Sequence, residues 1–102
     1  MDKFHQSNEF LEAARKAAKK SGYNPNQLFL AKNGVHKLTY HSPLGLRHFG
    51  RLGYGDFLYY QKFEPQIADM KRRVFRKSHS AISTKYALDK YSPNELAINI
   101  LW

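Results

Sequence analysis

Two stretches of the sequence concentrate the residue types that do chemistry. RHFGRLGYGDF, residues 47–57, holds three glycines, two arginines, one histidine and one aspartate in eleven positions. KRRVFRK, residues 71–77, has five cations in seven positions. Glycines at 50, 53 and 55 can expose backbone N–H groups to an anion, and they can equally permit tight turns between strands. The first stretch lacks the GK[ST] of a P-loop, and no GxGxxG opens a helix. Isolated glycines in a strand pattern more often mark bulges or close approaches, so the expectation is a turn and not a phosphate cradle.

Metal and acid–base chemistry are poorly served. His5, His36, His41, His48 and His79 show no HxxxH or HExxH spacing, and a metal site needs clustered ligands with supporting partners. Asp56 and Glu64 could pair with His48 as acid and base, but an aspartate beside glycines is more often a turn or cap residue. With no nucleophile–base pair in view, neither catalytic residues, a metal, a cofactor nor a small-molecule substrate is expected. The basic run is the better candidate. Lys71, Arg72, Arg73, Arg76 and Lys77 have Asp69 as the only nearby acid, whereas a solvated face usually mixes signs. They suit contact with phosphate or an acidic surface, and a solvated face remains the alternative.

The whole chain supports that direction. It has 102 residues and a net charge of +9, with the excess spread over both halves. Such a field favours acidic partners. Apolar residues make up 42% and aromatics 15%, too much for disorder. The absence of cysteine removes disulfides and thiol chemistry. No apolar run is long enough to span a membrane, and the first ten residues lack the apolar core of a signal peptide. The expectation is one soluble domain over residues 1–102, made inside the cell.

The elements that must position these residues follow from periodicity. Residues 7–21 predict a helix capped by Ser7 or Asn8, with Phe10, Leu11, Ala14, Ala17 and Ala18 on one face and Gly22 as its stop. A sheet is predicted over 28–61. Asn33-Gly34 signals a type I′ hairpin between strands 28–32 and 35–41. A third strand covers 46–50, and the aromatic run DFLYYQKF predicts a fourth, although Asp56 could instead cap a helical turn. Residues 65–78 predict a helix with Pro65 at its first position and a core stripe of Ile67, Met70, Val74 and Phe75. Ser92, Pro93 and Glu95 open a last helix over 93–101. That short helix carries the lone tryptophan and cannot stand alone. It must dock through Leu96, Ile100, Leu101 and Trp102, on its own sheet in preference to a neighbouring protein. The fold class is α+β: a small three- to four-stranded antiparallel sheet with helices packed on one face.

The elements KLTY, HFGRLGYGDF, KRRVFRKS and SPNELAINILW, in that order, resemble a family of short basic proteins encoded by nucleocytoplasmic large DNA viruses and their relatives. The family shows a Lys-Leu strand, an FG followed by G-[YF]-x-D, an arginine-rich helix with an aromatic, and a terminal Leu-Trp. The matching positions are Lys37, Leu38, Phe49, Gly50, Gly53, Asp56, Arg72, Arg73, Phe75, Leu101 and Trp102. Gly55 departs from the pattern, and the first helix lies outside it. The resemblance implies a virion protein made in the host cytoplasm, in the capsid or against the genome, and it brings no catalytic residues with it.

The expected function is therefore non-enzymatic: a minor capsid or internal virion component that joins other virion or capsid proteins. The alternative is a DNA-binding module that lays its sheet in the major groove. Arg47, His48 and Arg51 would then read bases, Lys32 and Lys37 would hold phosphates, and the basic helix would assist.

Overall fold

The computed structural model describes residues 1–85 and 89–102, and for residues 80–85 only the path of a helix. It is α+β. A short helix α1 (Asp2–His5) leads into α2 (Asn8–Lys20), and a 3-10 turn (Pro25–Gln27) feeds β1 (Leu28–Leu30). Strands β2 (His36–Ser42) and β3 (Gly45–Arg51) follow, then α3 (Phe57–Phe63), α4 (Pro65–Lys85) and α5 (Pro93–Leu96). From Ala97 to Leu101 the last helix widens into a π turn.

The sheet among the described residues has three antiparallel strands in the order β1-β2-β3. Leu28, Tyr40 and Arg47 stand in one cross-strand row, Phe29, Thr39 and His48 in the next, and Leu30, Leu38 and Phe49 in the third. The first and third rows point to the core. There Leu28, Leu38, Tyr40 and Phe49 meet Phe10, Leu11, Ala14 and Ala18 of α2 and Leu96, Ile100 and Leu101 of the last helix. Alternation along a strand then turns the Phe29 row to the other face.

Helix α2 forms where its periodicity places it. The Ser7 hydroxyl accepts from the Phe10 N–H at 3.2 Å, satisfying one of the first-turn donors. The last helix is capped the same way, with Ser92 Oγ accepting from Glu95 N at 3.2 Å. Side chains from α2's end hold the last helix in place. Ser21 donates to Asn99 O at 2.8 Å, and Asn99 Nδ2 donates to the Tyr23 hydroxyl at 3.0 Å.

Four expectations require correction. The predicted fourth strand is the helix α3. Asp56 caps it, accepting from Tyr59 N at 2.8 Å, and this capping outweighs the β preference of the aromatics. The sheet therefore ends at Arg51 and not at residue 61. The Asn33-Gly34 turn is not type I′, because Gly34 has φ +72° while no non-glycine residue among those described has positive φ. Asn33 Oδ1 instead accepts from the N–H groups of Val35 and His36, both at 2.9 Å, forming a wider loop between Leu30 and His36. The basic helix runs past residue 78 to Lys85. Its predicted stripe is split: Met70 and Val74 are 47% and 59% exposed, whereas Ile67 and Phe75 are half-buried and Ala68 is buried.

Candidate functional site

Two charged side chains and a histidine lie beneath the surface. Asp56 is buried at the start of α3, and its Oδ2 is 2.9 Å from Lys37 Nζ of β2 and 2.9 Å from His5 Nε2 of α1. Lys37 donates a hydrogen bond there. The His5 contact is not an aligned hydrogen bond, and His5 Nδ1 has no partner among the described residues. Burial alone would raise the Asp56 carboxyl. The contact with His5 and the Lys37 charge outweigh it and hold the group below the ordinary carboxylate range. Burial pulls the Lys37 ammonium down from its usual value, and Asp56 restores part of the loss. All three side chains are sealed from solvent. The arrangement pins α1, β2 and α3 together. Lys37 is thus withdrawn from the phosphate-contact role expected of it.

The cations of α4 divide into an inward and an outward set. At about 100° per residue, Ala68, Phe75, His79 and Arg72 share one arc, and Arg73, Lys77, Met70 and Val74 the opposite one. The inward arc closes on Trp102. Phe75 stacks on the Trp102 ring at 4.3 Å and on the His79 ring at 3.8 Å. Arg72 Nε donates to the backbone oxygen of Trp102 at 2.6 Å, and Arg76 Nη2 donates to the same oxygen at 2.9 Å. The Arg72 guanidinium also lies 3.7 Å from the centre of the Phe57 ring, a favourable cation–π distance. Lys71 sits 5.6 Å from the Tyr60 ring centre. Arg73 and Lys77 are exposed. The five cations therefore do not share one face of α4. Arg72 and Arg76 secure the half-buried Trp102, while Leu96, Ile100 and Leu101 are buried in the core.

The expected readers on β3 are also separated. Arg51 is exposed and shares a hollow with Phe75 and Trp102. Arg47 is half-buried at the opposite end of the strand, with Nη1 donating to Leu46 O at 3.3 Å. His48 is on the sheet's outer face, where Nδ1 is 2.8 Å from Thr39 Oγ1. Phe29, Thr39, His41, Leu46 and His48 line a hollow of about 450 Å³ there, with Lys32 and Asn33 at its edge. His48 does not meet Asp56, so the acid–base pairing considered from sequence is not assembled.

The glycines of the loop have separate reasons. Gly50 has φ +71°, and a Cβ there would lie 2.7 Å from Leu101 Cδ1. Gly53 has φ +90° with open space around it, and its N–H donates to the Asp2 carboxylate at 2.7 Å. A Cβ on Gly55 would strike the Tyr60 ring at 2.6 Å. The one loop N–H that does hold an anion thus holds one from its own chain.

Sequence reasoning did not place His5 and Lys37 on Asp56. The available signal was Asp56 at a possible cap beside a Lys-containing strand, but nothing local linked either to α1. None of the described residues forms a cluster of three metal-ligating side chains, and no helix among them is long and apolar enough to cross a membrane. In comparison with known proteins, the chain matches no family model, no curated protein and no solved structure.

Proposed function

We propose that the protein is a non-catalytic binding protein that joins an acidic protein partner through the outward face of α4. The observation that carries this reading is the exposure of Met70 and Val74, at 47% and 59%, on the same arc as Arg73. Arg73 makes no ion pair or hydrogen bond with the described residues. Interface cores favour Met and Arg, and cations flanking an apolar ridge select an acidic partner and speed its encounter. The resemblance to the viral family would make that partner a component of a virion, with this chain as a minor capsid or internal protein.

A photo-crosslinking residue at Val74, in cells or particles containing the chain, tests this. Cross-links should fall on acidic protein segments, and Arg73→Gln should reduce them, less so as salt is raised. Cross-links to nucleic acid, or the same yield from a crosslinker at Lys16 on α2, would overturn the reading. A second reading, as a nucleic-acid-binding module, is favoured by a different observation: the uncovered outer face of the sheet.

A further inference from the structure

We infer that the outer face of the sheet binds single-stranded nucleic acid, stacking an unpaired base on Phe29 between the Arg15 and Lys32 cations. The inference rests on this face alone and does not depend on the α4 reading.

An unpaired base needs an exposed π surface, a polar group for its edge and a cation for its phosphate. All three stand here. Phe29 is 39% exposed in the middle of β1. The His41 ring is 4.9 Å from it, centre to centre, and extends the platform. Thr39 and His48 form the polar floor across β2 and β3, joined at 2.8 Å. The His36 ring stacks on His48 at 5.8 Å. Leu46, 55% exposed, closes the far side.

The charge matches a polyanion. The Arg15 guanidinium lies 5.4 Å from the Phe29 ring centre, fixed by a 3.0 Å hydrogen bond from Nε to Leu28 O. Lys32 lines the hollow, and no carboxylate does. Arg15 stands beside the hollow and not in its lining, with Glu12 3.6 Å away.

Single strands are favoured over duplex by the same geometry. A duplex offers phosphates and groove edges, which the apolar side chains Phe29 and Leu46 cannot use. A single strand offers base faces, which they can. Arg47 and Arg51, the expected groove readers, do not line this hollow.

The test is a titration of the full isotope-labelled chain with oligo(dT) and oligo(U) of about ten nucleotides, beside a duplex of equal charge. Either single strand should shift the amide signals of Phe29, Thr39, His41, Leu46 and His48 and bind more tightly than duplex. Phe29→Ala should weaken binding about tenfold, within the range of one lost base stack. Phe29→Leu keeps an apolar side chain but lacks the ring, and should weaken it comparably. Lys32→Gln should flatten the salt dependence. Arg73→Gln should leave binding in place, which separates this face from α4. Equal affinity for duplex, parental binding by a folded Phe29→Leu variant, or shifts confined to α4 would each overturn the inference.

Discussion

The buried cluster around Asp56 and the cationic arc of α4 both carry cationic side chains and behave oppositely. In the first, Lys37 and His5 surround one carboxylate away from water. In the second, Arg73 stands exposed while Arg72 and Arg76 close on Trp102. An isolated buried charge costs so much that its partners must be in place before the fold is stable. An exposed charge costs almost nothing and contributes almost nothing to stability, so it is available for a partner. Burial therefore decides which cations belong to the architecture and which belong to recognition.

The largest effect should come from breaking the buried cluster. Asp56→Ala strands Lys37 and His5 and removes the α3 cap, and should cost about 3–5 kcal/mol in urea unfolding. That is a large share of the total stability of about 5–15 kcal/mol for a chain this size. Asp56→Asn keeps a capping oxygen and should cost less. A loss within about 0.5 kcal/mol for Asp56→Ala would erase the contrast between the two regions.

Titration sharpens the same point. The Asp56 carboxyl lies below its ordinary value when folded, so the unfolded chain takes up the proton first. Its stabilisation is fully present above about pH 4 and is lost as pH falls through the folded value. Stability measured against pH should decline in acid, and the Asp56→Asn variant should decline less.

The wall of the cluster comes next. Gly50→Val combines a positive φ with a clash against Leu101 beside Lys37, and should cost about 3 kcal/mol. Gly53→Ala meets strain alone and should cost about 1 kcal/mol in the same melting experiment. Equal losses at the two positions would show that Leu101 yields freely.

The smallest effects separate the two sets of α4 cations. Arg72→Gln loses a charged hydrogen bond to Trp102 O and the contact with Phe57, and should cost about 1–2 kcal/mol given its partial exposure. Arg73→Gln should leave stability within about 0.5 kcal/mol. If the two variants melt alike, the inward and outward division of the helix is wrong.

Helix α2, the β2–β3 pairing and the Ser92 cap could be read locally, because each rests on residues within a few positions of one another. The predicted core stripe of α4 failed at Met70 and Val74 for an equally physical reason. Ile67, Met70, Val74 and Phe75 have the correct spacing, but spacing alone does not choose which arc is covered. Phe75, Arg72 and Arg76 turned inward because Trp102 and Phe57, far away in sequence, offered a ring stack, a backbone oxygen and an aromatic face. DFLYYQKF failed as a strand because its β propensity was weak against one well-placed cap.

By itself, the sequence determined the α+β class, the +9 charge that prefers acidic partners, and the apolar residues needed for one core. These depend on composition and on contacts a few residues apart. Only the tertiary structure decided the use of each charged or aromatic residue. Lys37 became an internal counter-charge, Arg72 and Arg76 became clamps on Trp102, and Phe29 was left open on the sheet. The pairs Lys37–Asp56, Arg72–Trp102 and Phe29–Arg15 are separated by 19, 30 and 14 positions in sequence. Desolvation and ring stacking act only once the chain has brought such groups within a few ångströms.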